Sequence, residues 1–302
     1  MIRDSGPPAA HASIGADLVA ELVRAQAPAL AHLEVGERFD GWDMAVFRLG
    51  AEYAVRLPRV ESAVRSLDRE TGLMIALGRD WTFPHPRLVR RGEPQGPYPW
   101  PWAIVTWLPG TAADVAPLAA SAGPALGRAL AEIHAPAAPE AWFNPEQSLP
   151  LADRQHNLDW ALGLLAEASG PGGERLDVQG AREVWARALA APGPTERVWS
   201  HADPHGSNVL GIDGAFAGLI DWGKMAGCDR AVDLSFLYTA LPAAGVGLAV
   251  AAYRDATACD DPGLEARLRG IAVTKCASWA VLDRPLNVAM AWRGFGELGL
   301  LA

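Results

Sequence analysis

Glu196-Arg-Val-Trp-Ser-His201-Ala-Asp203-Pro-His205-Gly-Ser-Asn208-Val-Leu-Gly-Ile-Asp213-Gly214-Ala-Phe-Ala-Gly-Leu-Ile220-Asp221-Trp-Gly223 is the stretch on which the reading of this chain turns. Two short apolar runs, Asn208–Ile212 and Ala215–Ile220, flank Asp213-Gly214, a dipeptide that signals a type I′ β-hairpin. A tight hairpin brings its two ends to one edge, and with them Asp203, Asn208 and Asp221. Acidic and amide oxygens gathered in this way suit a hard divalent cation such as Mg2+. Asp203 is then left to handle a proton, which is the layout of a phosphoryl-transfer site.

His201-x-Asp203-x-His205-x-x-Asn208-Val-Leu followed by Ile220-Asp221-Trp222-Gly223 resembles the catalytic loop and metal loop of the aminoglycoside phosphotransferase family. That family is the small-molecule branch of the protein-kinase-like fold. The resemblance runs from about Gly41 to Leu237. It implies an α+β, bilobal protein-kinase-like architecture, with an N-terminal antiparallel sheet lobe and a mostly helical C-terminal lobe. It also implies a nucleotide-dependent enzyme with ATP or GTP as co-substrate and Mg2+ as cofactor. Asp203 takes the catalytic position, and Asn208 and Asp221 take the metal positions. Three departures stand out: Pro204 where relatives commonly have leucine, Ser207 where they commonly have glycine, and Trp222 in place of the protein-kinase phenylalanine. None removes a polar group that the chemistry needs.

Half of the 302 residues are hydrophobic, enough for a substantial core and against disorder. The formal net charge of -9 argues against a nucleic-acid partner and is compatible with a cationic substrate. Cys228, Cys259 and Cys276 are too few and too scattered for a disulfide framework or a zinc site. The start, Met1-Ile-Arg-Asp-Ser-Gly, lacks the apolar core of a signal peptide, and no long apolar run follows. The expectation is a cytoplasmic protein, monomer or weak dimer, with no membrane partner. Lys224 and Lys275 are its only lysines.

Helical spacing over residues 14–32 predicts an N-terminal helix. The segments 33–39, 45–49 and 53–57 alternate like strands of an antiparallel meander. By resemblance, the turn between the first two covers nucleotide phosphates. It holds a single glycine, Gly41, so the phosphate-loop pattern is weak by itself. Arg56 stands where kinases carry a phosphate-binding lysine. A planar guanidinium can replace that lysine on phosphate oxygens. Glu70, in a helix predicted over 61–77, takes the position of the carboxylate that orients this cation. Phe83–Val89 and Trp102–Trp107 read as further strands. Trp107 and Leu108 begin a linker whose backbone meets the nucleotide base in this fold, so the boundary falls between residues 1–108 and 109–302.

Beyond the linker, helices are predicted over residues 115–134 (starting properly near Pro124), 151–168 and 178–190. In related enzymes the last two help form the acceptor cleft. His134 reads as a structural histidine. After the hairpin the chain reads as all helix, over 229–241, 246–256, 263–282 and 285–298. Ala202 stands where protein kinases carry the arginine that recruits a phosphorylated activation segment. Gly223 and the next predicted helix leave no room for such a segment. The acceptor should therefore be a small molecule.

Two other readings compete. On an extended segment His201, Asp203 and His205 share a face and could bind zinc in a metallohydrolase. That reading leaves Asn208, the hairpin and Asp221 unexplained, and the histidines can instead brace the loop. A non-catalytic binding scaffold is the other, but such proteins usually lose one of the three polar residues kept here. For the acceptor, the net charge and the family favour an aminoglycoside, with carboxylates facing its ammonium groups. Candidates are Asp153, Asp159, Asp233 and Asp283, with Glu297 and the aromatic Trp160, Trp279 and Trp292 also in the second half. A macrolide, another small alcohol or an amino alcohol is the alternative.

Overall fold

The computed structural model describes residues 13–302, which divide into two compact units. The first comprises the described residues up to Asp80 together with Pro84–Pro109; the second comprises Trp81–Phe83 and Gly110–Ala302.

The first unit opens with α1 (Ala16–Gln26), whose apolar spacing buries Val19, Leu22 and Val23. Three antiparallel strands follow, β1 (Val35–Asp40), β2 (Met44–Leu49) and β3 (Tyr53–Pro58), and then α2 (Ser62–Ala76), β4 (Leu88–Gly92) and β5 (Trp102–Thr106). The sheet order is β1-β2-β3-β5-β4. Alternation along β3 decides which side chain meets which layer. Val55 and Leu57 join the core shared with α1, whereas Ala54 joins the core formed by Ala63 and Leu67 of α2. Arg56 has the parity of Ala54, which turns its guanidinium towards α2. The predicted strand at 83–89 starts only at Leu88. Pro84 and Pro86 have no N–H to donate to a ladder, and Phe83 packs in the second unit.

The second unit runs through β6 (Thr111–Ala112), α3 (Gly123–Ile133), α4 (Gln155–Leu165), α5 (Val178–Ala190), β7 (Val198–Ser200), β8 (Val209–Ile212), β9 (Ala215–Leu219), β10 (Ala226–Cys228), α6 (Ala231–Ser235), α7 (Ala243–Thr257), α8 (Leu264–Ala280) and α9 (Pro285–Glu297). α3 and α7 pack backbone to backbone: a Cβ on Gly127 would lie 2.1 Å from the carbonyl oxygen of Ala249. α8 is buried on most sides, with Arg267 inside it bonded to Asp229 at 2.8 Å and Asp261 at 2.6 Å. That two-sided pairing is what makes a nearly inaccessible guanidinium tolerable.

The all-helical expectation after the hairpin needs two corrections. Ala226–Cys228 is a strand paired with β7, Ala226 opposite Ser200. The predicted helix at 229–241 is only the short α6 followed by a 3-10 turn over Phe236–Thr239. The sheet of β6, β8 and β9 was legible only as its hairpin. At the hairpin turn Asp213 and Gly214 have φ of 50° and 77°, as a type I′ turn requires.

Candidate active site

Hydrogen bonds along the edge of the hairpin join two loops. The Ile220 N–H donates to the Asn208 carbonyl at 3.0 Å, and His201 Nε2 donates to the Ile220 carbonyl at 3.0 Å. A carbonyl can only accept, so His201 carries its proton on Nε2. Its Nδ1 accepts from the Asp203 N–H at 3.3 Å. The ring is fully buried, and burial holds it below the usual histidine range. It lies against Trp222 at 4.5 Å, and Trp222 in turn stacks on Trp81 at 4.6 Å.

The zinc reading is therefore corrected: Nε2 of His201 carries the proton given to the Ile220 carbonyl, and the lone pair of Nδ1 is taken by the Asp203 N–H, so none is left for a metal. Among the described residues no group of three or more His, Cys, Asp or Glu has the arrangement of a metal site. His205 also bonds locally, accepting from the Ser207 N–H at 3.2 Å, and its ring meets Trp279 at 5.4 Å. Glycine at 206 is required by space, because a Cβ there would lie 2.9 Å from the Thr239 carbonyl.

Asp203 keeps 23% of its side chain exposed, with its Oδ2 3.7 Å from His205 Nε2. Enclosure in the loop raises its carboxyl above the ordinary range. Asp221 pushes in the same direction, while His205, His201 and Lys275 oppose. Asn208 donates its amide N–H to the Asp203 carbonyl at 2.9 Å. This orientation leaves Oδ1 of Asn208 as its outward acceptor. Asp221 is exposed and holds φ of 64°, a left-handed conformation that aspartate tolerates better than most residues. An amide oxygen and an exposed carboxylate are the donor chemistry that Mg2+ prefers, so the residues fit that ion.

Asp233 is corrected from acceptor ligand to structural residue. It is fully buried and accepts from the backbone N–H groups of His201 at 2.7 Å and Ala202 at 2.8 Å. It also meets His134 Nε2 at 3.1 Å, and His134 Nδ1 is 2.8 Å from the Tyr253 hydroxyl. Other expected acceptor residues have structural partners too. Asp159 pairs with Arg182 at 2.8 Å and accepts from Gln155 at 2.7 Å. Glu297 accepts from the Ala243 N–H at 2.7 Å, capping α7. Trp292 is buried against Phe295. Asp153, Trp160 and Asp283 are exposed and lie outside the lining of the cavity that contains Asp203.

That cavity, about 300 Å³, is lined by Asp203, Trp279, Gln147, Arg154, Lys275 and their neighbours. Of the expected acceptor residues only Trp279 lines it. Arg154 and Lys275 were missed. The rarity of lysine in this chain was the available signal for Lys275, but nothing local in the sequence points to Arg154.

In the first unit Arg56 Nη2 pairs with Glu70 Oε2 at 3.0 Å, and both side chains are buried. Gly41 closes the β1–β2 turn, its N–H donating to the Met44 carbonyl at 2.9 Å, and is exposed. The Trp107 N–H donates to the Glu52 carbonyl at 2.7 Å, and the indole packs on Phe39 and under Arg48. That N–H is thus used within the unit. Leu108 follows it, half-buried.

The family model described as the phosphotransferase enzyme family matches residues 36–271. Comparison with curated proteins gives no match. Among solved structures, the macrolide 2'-phosphotransferase of Brachybacterium faecium is 20% identical with a TM-score of 0.57, covering 92% of this chain and 97% of that one. The GDP complex of aminoglycoside 2'-phosphotransferase-IIIa is 14% identical with a TM-score of 0.65, covering 95% and 99%. A macrolide 2'-phosphotransferase of type I is 15% identical with a TM-score of 0.58, covering 93% and 98%. At these identities the structural likeness speaks for the fold, while the family match spans most of the chain. On that match, the chain belongs to the phosphotransferase enzyme family and is a small-molecule kinase.

Proposed function

We propose that the chain transfers the γ-phosphoryl group of ATP or GTP to a hydroxyl of a small molecule, with Asp203 as the catalytic base. The observation that carries this reading is the stitching of the 201–208 and 220–223 loops through Ile220 and His201, with Asp203 left at the edge of a cavity. The bond from the γ-phosphorus to the β–γ bridging oxygen breaks, and a bond to the acceptor oxygen forms. The hydroxyl proton passes to Asp203, and the nucleoside diphosphate leaves. Asn208 and Asp221 would hold Mg2+, which supplies neutralisation of phosphate charge. Arg56, fixed by Glu70, is the phosphate-anchoring cation of the first unit, residues 1–108 in our division, with residues 109–302 carrying the catalytic loop. Gly41, Trp107 and Leu108 serve the nucleotide in this reading. His201 and His205 act by holding the loop rather than by touching the substrate.

Structures with this fold include aminoglycoside and macrolide phosphotransferases. The cavity beside Asp203 favours neither: it lacks the expected carboxylates and is small for a macrolide. A compact alcohol is the acceptor that its size supports. Among the described residues no helix is long and apolar enough to cross a membrane, and we place the enzyme in the cytoplasm with its nucleotide.

The test is nucleoside diphosphate release from ATP and GTP with aminoglycosides, macrolides and small alcohols, run beside Asp203→Asn. Release that is acceptor-dependent and lost in the variant is expected. Release that Asp203→Asn leaves intact would remove Asp203 from the mechanism.

A further inference from the structure

Two walls of the cavity beside Asp203 are cationic. Arg154, just ahead of α4, is 6% exposed and donates Nη1 to the Glu146 carbonyl at 3.2 Å and Nη2 to the Gln147 carbonyl at 2.7 Å. Its Nε is buried and has no hydrogen-bond partner among the described residues. Lys275, from α8, reaches the Gln147 side-chain oxygen and lies 5.3 Å from the centre of the Phe236 ring. Among the described residues no carboxylate stands within ion-pair distance of either cation. Glu146, the other acid on the lining, is turned towards Lys224 at 3.4 Å.

Enclosing two like charges is costly unless an opposite charge joins them. The strain is visible in the lysine itself. Burial, reinforced by Arg154, pulls Lys275 down to about 7, against the opposing pull of Asp203 and Glu146. Burial also holds Arg154 below the usual arginine range. Neutral polar groups complete the surroundings, among them Asn157, Thr274 and Ser278. The volume of about 300 Å³ suits a compact molecule.

We propose that this cavity takes an alcohol bearing an oxyanion, its carboxylate or phosphate seated between Lys275 and Arg154 and its hydroxyl presented to Asp203. The proposal rests on the phosphotransferase reading of Asp203 and deepens it to a substrate class. An oxyanion restores the Lys275 proton and balances both charges at once. A polycation would meet two like charges instead, which specificity by repulsion excludes.

The experiment measures diphosphate release with D-glycerate and glucose 6-phosphate, against glycerol and glucose as uncharged counterparts and kanamycin as polycation. Lys275→Gln and Lys275→Arg are run in parallel, and calorimetry follows binding of D-glycerate and inorganic phosphate to all three proteins. An acidic alcohol should exceed its neutral counterpart at least tenfold in kcat/KM. Lys275→Gln should raise its KM at least tenfold without lowering the melting temperature, and Lys275→Arg should restore it. Preference for glycerate over glucose 6-phosphate, or the reverse, tells a carboxylate site from a phosphate site. If none of these acids is turned over, oxyanion binding that is lost in Lys275→Gln still supports the site. Absence of oxyanion binding, binding untouched by Lys275→Gln, or preference for kanamycin overturns it. Slow transfer to water, measured with no acceptor and compared with Asp203→Asn, judges the kinase reading separately.

Discussion

Asp233 accepts a hydrogen bond from the backbone N–H of Ala202 at 2.8 Å, and Ala202 holds a left-handed φ of 67°. A non-glycine residue in that conformation costs about 1–2 kcal/mol. It persists here because one carboxylate captures two consecutive N–H groups, those of His201 and Ala202. The turn aims Asp203 outward while His201 stays buried. Asp233 is thus a positioning residue acting through backbone.

Replacing Asp233 with asparagine should therefore damage more than its small change in shape suggests. An amide offers one oxygen where the loop needs two, and its NH2 would face an N–H. Each buried group left unsatisfied costs about 1–3 kcal/mol. Urea unfolding should show a loss in that range, and kcat should fall more than the nucleotide KM rises. Wild-type stability and turnover in Asp233→Asn would contradict the role given to this carboxylate.

Asp203→Asn should depress transfer by roughly 100- to 10,000-fold, the usual contribution of a positioned base, while nucleotide affinity stays near that of the wild type. The loop should remain folded, because the contacts made by the Asp203 backbone do not involve its carboxylate. Equilibrium nucleotide binding and single-turnover rates separate the two effects.

Asp221→Asn retains a residue that tolerates the positive φ and removes the charge, so it isolates metal binding from backbone strain. The Mg2+ concentration needed for half-maximal activity should rise at least tenfold, with little change in melting temperature. An unchanged metal titration would mean that the cation is held elsewhere.

Lys275 gives a pH signature. Its folded value is about 7, against 10.5 for an ordinary lysine. Between these values the unfolded chain binds the extra proton, so stability rises with pH across that window. Below about 7 the enclosed charge weighs fully against the fold. Arg154, Asp203, Glu146 and Cys228 are the ionisable groups that face it. Lys275→Met should be more stable than the wild type at pH 6, and the difference should shrink by pH 10. Thermal melting at both pH values checks this; a gap that widens with pH would contradict the assignment.

What the sequence revealed and what it hid divide along the range of the interactions. Asp203, Asn208 and Asp221 belong to loops at the ends of one hairpin, and the Asp213-Gly214 turn that joins its strands is a local signal. The apolar periods of α1, α3 and α9 were equally local. Asp233 was misjudged because its partners are backbone groups more than a helix away in sequence, which no pattern of side chains announces. Arg154 and Lys275 come to one cavity only when α8 packs beside α4, and the expectation of acidic walls came from the family resemblance and from net charge, which says nothing about placement. The strand at 226–228 is too short to show a period, and its pairing with β7 is what makes it a strand.

Trp81–Phe83 belongs to the helical unit although the chain on both sides of it belongs to the other. Thr82 donates to Glu132, 50 positions later, and Trp81 stacks on Trp222 further still. During synthesis this tripeptide emerges well before Glu132 and Trp222, the later partners it meets. No single cut therefore yields two whole halves: a fragment beginning at Gly110 would start without the rings that cover Trp222. The two units are interleaved in sequence. Any rearrangement of this chain by duplication, fusion or splitting has to carry that tripeptide with the half that follows it.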